Sequence, residues 1–389
     1  MGISFFILFF IPFSLYVFTL CPTIYVRDAG LTVAGAASMG VIYPPGFPIY
    51  YQIGRLFSLL PVGDIPFRVN LMSAFFGALT IFVMGKGVET FLEITERVDY
   101  EVLMKKERNL SRRWIAGISS LFLAIVHCFW TQALIAEEYS LNAFLFSLLY
   151  LSGMKTLKYQ NREFIYITAF ILGLSLSNHP QAIYFIPSFI LLLFINNQIN
   201  REFFGRCLIS FLFIGIGLFS YIYIFVRSLS SPPVQWMPID NWDAVLKYFT
   251  ARQYHEQMFS STLLGYIYKC LMGLNILVEE ITIPGIIMAL LGIFLVLRKK
   301  PKIAIFLIMV ILMDLLISTR IKFNRHTISV YLIPAVMALT FFCSKSLLDI
   351  WNIIKGRKLS SVFPIFIIGL ITYMGIYNFK LSNRNGCYI

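Results

Sequence analysis

The sequence predicts an all-α integral membrane protein, a polytopic helical bundle of about eleven spans with folded loops on its outer face. Three observations carry this. Of the 389 residues, 58% are hydrophobic and only 13% charged, with a mean hydropathy of +0.78, whereas a soluble domain carries about 25% charged residues. Apolar runs close to the ~20 residues a span needs recur at 4–20, 69–87, 114–130, 141–154, 164–178, 182–196, 207–226, 281–297, 303–319, 328–344 and 361–378. Finally, the basic residues are unevenly distributed. With the N-terminus inside, the connections 86–113, 155–163, 197–206, 298–302 and 345–358 hold 20 of the 32 Lys and Arg in 66 residues, the asymmetry of the positive-inside rule.

The elements follow in order. The first run lacks a basic leader, and CPTIYVRDAG after it offers no small-residue cleavage site, so it reads as a retained helix rather than a signal peptide. The first outer loop, 21–68, carries DAGLTVAGAASMGVIYPPGFPIY: small residues that allow close helix packing, then a rigid Pro-Pro-Gly-Phe-Pro knot. RLFSLLP at 55–61 is amphipathic and interfacial. The loop is therefore expected to be a folded cap. Within it Asp28 fits two roles, an N-cap for a helix starting at Ala29 or a reactive carboxylate at headgroup level. The inner connection 88–113 mixes both signs of charge and is expected to be partly helical. Short outer turns follow at TQALIAEEYS and NHPQ. The second long outer loop, 227–280, ends in an apolar stretch interrupted by Lys269, Glu279 and Glu280. Reading 261–278 as a span would put RKKPK at 298–302 outside, so a helix lying at the outer interface or re-entering it is expected there. With no soluble domain and no internal repeat, 1–389 reads as one membrane domain.

The charge of +13 is topological, which excludes a nucleic-acid site. The six cysteines, Cys21, Cys128, Cys207, Cys270, Cys343 and Cys387, have no metal-type spacing, so neither a metal nor a cofactor is expected. Arg320, Lys322 and Arg325 break the positive-inside asymmetry and suit either anionic headgroups or a bound phosphate. Glu137 and Glu138 stand in an outer turn without a basic neighbour, and His179 either caps a helix near Pro180 or meets a ligand oxygen. Asp314 lies inside a predicted span, where a carboxylate is costly unless paired. It is the residue that best suits a transporter.

One long run, PTIYVRDAGLTVAGAASMGVIYPPGFPIYYQIGRLFSLLPVGDIPFRVNLMSAFFGALTIF, resembles the N-terminal block of a membrane family grouped with GT-C-type protein O-mannosyltransferases. The likeness continues in WTQALIAEEYSLNAF, LGLSLSNHPQ and PPVQWMPIDNWDAVLKYFTARQY, four blocks in order over roughly 22–255. Two positions depart from the family pattern: Leu31 stands where a Glu usually follows Asp-x-Gly, and Tyr43 where a His usually precedes Pro-Pro-Gly.

The resemblance implies a GT-C-like bundle that moves a sugar, possibly mannose, from a polyprenyl-phosphate donor to a protein Ser/Thr or glycan hydroxyl on the non-cytoplasmic face. Such an inverting transfer needs a base for the hydroxyl, positive charge for the departing phosphate and a groove open to lipid. It implies Asp28 as the base and Arg227, Arg252, Arg320 and Arg325 as outer-face candidates for the phosphate. Arg27, Tyr43, Glu137 and His179 are candidates to orient substrate, with Tyr254 and His255 near the acceptor. A phosphate leaves without protonation, unlike the alkoxide of glycosidases, so one carboxylate suffices despite Leu31. The partners expected are the lipid-linked donor, the acceptor and membrane lipids. The membrane is expected to be a bacterial inner membrane, or the endoplasmic reticulum in a eukaryote. Two alternatives stay open: a transporter or flippase of a lipid-linked or amphipathic substrate, and an inactive scaffold.

Overall fold

The computed structural model describes residues 6–96, 105–194, 199–254, 262–320, 324–357 and 359–387. Lys322 and His255 lie outside the described residues, as does the side chain of Tyr254.

The described apolar stretches are largely helical, because a backbone in lipid must satisfy its own hydrogen bonds. After a π-helical turn at Phe6–Phe10 come α1 (Ile11–Thr19), α2 (Ala29–Ser38), α3 (Pro48–Ser58), α4 (Ile65–Thr95), α5 (Lys105–Ala124), α6 (His127–Gln132), α7 (Tyr139–Tyr159) and α8 (Arg162–Asn178). A 3-10 turn at Pro180–Phe185 leads into α9 (Ile186–Phe194), followed by α10 (Arg201–Leu218), α11 (Ile222–Leu229) and α12 (Trp242–Phe249). The remainder is α13 (Leu263–Lys299), α14 (Pro301–Ser318), α15 (Arg325–Tyr331), α16 (Ile333–Ile354) and α17 (Leu359–Ser382). Among the described residues the one extended pairing is an isolated bridge between Val41 and Gln235.

Where it is described, each apolar run of the sequence lies largely on helix, but among the described residues six helices are long and apolar enough to cross a membrane by length and composition: α4, the α10–α11 stretch, α13, α14, α16 and α17. Their burial sorts them into layers. The apolar windows of α4 and α16 are 72% and 78% buried, against 17% for α10–α11 and 6% for α17. The first two form the centre with α7, and the last two present Phe211, Leu212, Ile365 and Phe366 outward. Outward apolar side chains on such helices are suited to lipid.

The helix expected over 261–278 is the first half of α13, which runs for 37 residues and breaks at Thr282 (φ 67, ψ 160). Pro284 explains the break, because it lacks an N–H and crowds the carbonyl four residues back. At ~1.5 Å per residue α13 far exceeds the ~30 Å hydrocarbon layer, so its two halves need different directions. At the inner end, Glu89, Glu93 and Glu96 on and just after α4 pair with Arg113, Lys158 and Arg112, which accounts for the mixed charge of that connection.

The outer loops fold onto one another. Val41 N donates to Val234 O at 2.9 Å, and Trp236 N to Val41 O at 2.8 Å. The Pro-Pro-Gly-Phe-Pro knot packs against α11 and α12, so closely that a Cβ on Gly46 (φ 92) would lie 2.5 Å from Ile224 Cδ1 and 2.6 Å from Tyr248 Cε1. Glycine is required there for both conformation and space.

Candidate active site

The cap positions Asp28. The α2 helix starts at Ala29, but Asp28 has αR backbone angles (φ −78, ψ −9) and its side chain makes no capping hydrogen bond. An N-cap needs an extended backbone to turn its oxygen back on the helix. Asp28 is therefore exposed and released from helix duty.

Its electrostatic neighbours come from far along the chain. The turn between α6 and α7 brings up Glu137 and Glu138, which are 8% and 3% exposed. Burial raises the Glu137 carboxyl well above the usual range; Glu138 and Asp28 raise it further, and Arg27 opposes them. Burial also pushes Glu138 up to about 7, with Asp28 adding to the shift. Tyr43 faces the same group: burial raises its phenol, with Glu138, Tyr51, Glu137 and Asp28 adding to it. Its ring meets the edges of Phe47 at 5.5 Å and Trp236 at 6.2 Å.

His179 closes the inner side. Its Nδ1 accepts the Gln181 N–H at 3.1 Å, so the neutral ring carries its proton on Nε2. Nε2 stands 3.9 Å from Glu138 Oε1. Burial pushes the imidazole down to about 3, which leaves it neutral, so this contact is not an ion pair. Phe47 stacks on the ring at 5.7 Å, and Tyr139 and Tyr331 each lie 5.4 Å from it.

The structure thus gathers Asp28, Arg27, Tyr43, Glu137 and His179 around one acidic centre and adds Glu138 to it. The signal for Glu138 was the acidic doublet itself, two carboxyls in a turn with no cation beside them.

The arginines divide differently. Arg227 is committed elsewhere: Nε donates to Met39 O at 2.8 Å, Nη2 to Ser38 O at 3.0 Å and Nη1 to Ser230 Oγ at 3.3 Å. It caps the end of α2, where carbonyls lack helical partners, so the expectation of a phosphate ligand there is revised to a structural role. Arg325 pairs with Glu279, Arg320 lies over the Tyr266 ring at 5.8 Å, and Arg252 is exposed in a 3-10 turn. None of these four perturbs the acidic cluster as Arg27 does. A residue that sequence reasoning missed joins Arg27 instead. Arg384 donates its backbone N–H to Thr19 O at 3.0 Å and lays its guanidinium over Tyr25 at 5.4 Å. After burial, the charges of Arg27 and Arg384 both hold His326 below its ordinary range, so the two guanidiniums face the same imidazole.

Asp314 is fully buried and fully bonded. Oδ1 accepts from Gln181 Nε2 at 2.9 Å and Ser318 Oγ at 3.3 Å, and Oδ2 from Ala335 N at 2.9 Å. Gln181 in turn accepts from Asn142 Nδ2 at 2.8 Å and donates to Tyr331 O. This network ties α7, α14 and α16 beneath His179 and accounts for a carboxylate within a span.

With this geometry established, known proteins supply a context. Residues 28–202 match the model of the N-terminal domain of protein O-mannosyl-transferase TMEM260. The chain is 27% identical over 213 residues to protein O-mannosyl-transferase TMEM260 of Mus musculus, covering 52% of this chain and 27% of that protein. It is 21% identical over 303 residues to protein O-mannosyl-transferase tmem260 of Dictyostelium discoideum, covering 72% and 34%. The chain is similar to these protein O-mannosyl-transferases over part of its length. It spans about a third or less of the length of these two curated relatives. Its fold is similar to the crystal structure of ArnT from Cupriavidus metallidurans bound to undecaprenyl phosphate, with a TM-score of 0.55 over 98% of this chain and 71% of that one, at 12% identity. The resemblance read from the sequence is borne out by these matches, and the all-helical fold is similar to that of ArnT.

Proposed function

We propose that the chain transfers a sugar, mannose by analogy with its named relatives, from a polyprenyl phosphate to a hydroxyl of a protein acceptor on the non-cytoplasmic face. The observation that carries this reading is the meeting of Asp28, Glu137, Glu138, Tyr43 and His179 beneath two interlocked outer loops, in a bundle related to O-mannosyl-transferases. In the proposed step Asp28 takes the proton as the acceptor oxygen attacks the anomeric carbon. The carbon–phosphate oxygen bond breaks with its electron pair on the phosphate, and one displacement inverts the anomeric centre.

Charge then builds on the phosphate, and positive groups fixed there beforehand favour the transition state. Arg27, next to Asp28 in the chain, and Arg384, which acts on the same His326 as Arg27, suit that role. Arg27 lies within electrostatic reach of Glu137. Tyr43 and His179 border the sugar and acceptor. We place about eleven crossings in the membrane, with 21–68 and 227–280 outside. The membrane is the bacterial inner membrane, or the endoplasmic reticulum in a eukaryotic host. The fully bonded state of Asp314 speaks for a structural carboxylate and against a transport site.

The test is reconstitution in vesicles with radiolabelled polyprenyl-phosphate mannose and a Ser/Thr-containing acceptor peptide. Label is expected on the peptide. Protein that is folded and correctly inserted, yet transfers from neither mannosyl nor other glycosyl polyprenyl phosphates, would end the proposal.

A further inference from the structure

Glu138 is a buried polar group for which the proposed displacement has no use. Its Oε1 faces His179 Nε2 at 3.9 Å, too far for a hydrogen bond. Its Oε2 is buried and meets no donor. A buried oxygen left so costs about 1–3 kcal/mol, and native structures hold few of them. Two more polar groups border Glu138. His179 directs its Nε2 proton there from a ring clamped by Phe47, Tyr139 and Tyr331. Asn178 anchors its amide by donating Nδ2 to Glu138 O at 3.4 Å, while its Oδ1 is another buried acceptor without a donor. One donor and two acceptors are therefore held in fixed positions, with aromatic faces around them.

The charges select the ligand class. Asp28, Glu137 and Glu138 lie within electrostatic reach of one another, and the unmet Glu138 Oε2 and Asn178 Oδ1 need a hydrogen-bond donor, which a phosphate dianion does not offer. Among the described residues no three His, Cys, Asp or Glu side chains are grouped to hold a metal ion, and the N–H of His179 would repel one. A neutral ligand that both donates and accepts hydrogen bonds remains, which describes a polyol. The geometry points to Glu138, His179 and Asn178 as a hydroxyl-reading subsite for a neutral pyranose ring, deeper than the exposed Asp28. Resting on the proposed transfer, this ring is the glycosyl group of the donor, and the subsite decides which sugar is accepted.

The experiment reads binding without turnover. Saturation-transfer NMR on the purified full chain would use methyl α-mannopyranoside, the methyl glucoside and galactoside, and deoxy analogues of the preferred glycoside. Inorganic phosphate serves as the control for an anion site. The wild type is expected to bind one glycoside preferentially and to lose about tenfold in affinity when one ring hydroxyl is removed. That loss is the scale of a hydrogen bond to a charged group. E138Q and E138L are expected to bind about tenfold more weakly and no longer to distinguish that deoxy analogue. Should E138L fail to fold, the isosteric E138Q decides. If no glycoside binds, if inorganic phosphate competes with it, or if wild type, E138Q and N178A bind alike, the subsite is overturned. Glu138-dependent glycoside binding without transfer from any lipid-linked donor would remove the transferase reading and leave the subsite. Transfer without such binding would do the reverse.

Discussion

Asp28→Asn separates catalysis from stability more cleanly than any other substitution. Asp28 is exposed and its side chain makes no capping bond, so the change removes no folded-state hydrogen bond. The cost should stay within the ±0.5 kcal/mol of ordinary surface substitutions, a shift of under about 2 °C in the thermal midpoint. A capping aspartate would instead cost about 1 kcal/mol. Loss of a positioned base is worth 10²–10⁴ in rate, or about 3–5 kcal/mol of transition-state stabilisation. The substitution also removes a charge that raises Glu137 and Glu138, so both should ionise at lower pH. The assay is initial-rate transfer from labelled polyprenyl-phosphate mannose in vesicles, with thermal unfolding run on the same preparation. Activity within threefold of the parent would refute the assignment of the base. A drop of several degrees with activity retained would restore the helix-capping role.

Three further outcomes follow from the same geometry. Arg227→Ala should destabilise the protein by about 2 kcal/mol, because charge-assisted bonds to the Ser38 and Met39 carbonyls are lost; protease cleavage within 28–50 should rise, and unchanged protection would contradict the capping role. Gly46→Ala should cost about 1–3 kcal/mol through its φ of 92 and the collision with Ile224 and Tyr248, read as a lowered thermal midpoint. Stability should also depend on pH through Glu138 and His179 in opposite senses. Glu138, raised to about 7, favours the folded state fully below the ordinary carboxylate range, and this contribution fades as pH rises through 7. His179, lowered to about 3, favours the folded state above its ordinary value of 6.5, and this contribution fades as pH falls from there toward 3. His179→Asn should flatten the acid limb and Glu138→Gln the neutral one, both read by thermal unfolding between pH 4 and 8.

Much of the fold was legible because apolarity is a local property. Runs such as 69–87 and 361–378 become helix whatever surrounds them, since lipid leaves the backbone no other partner. The expectation that the polar loops lie outside came from lysine and arginine counts, and the rigid knot from its own prolines and glycine. Which helices lie at the centre was not legible. α17 is as apolar as α16 but far more exposed, and the difference lies in their neighbours.

The sequence by itself determined that this is a helical membrane protein with folded polar loops, and it nominated Asp28, Tyr43, Glu137 and His179 from blocks that resemble a family. Tertiary structure alone decided what each charged group faces. Arg227 finds its carbonyls about 190 residues away, Arg384 reaches Tyr25 from the far end of the chain, and Glu138 meets His179 across two helices. The physical reason is that apolar burial is summed residue by residue, whereas a hydrogen bond or a charge pair exists only between specific atoms a few ångströms apart. Packing fixes that separation, and spacing along the chain does not encode it.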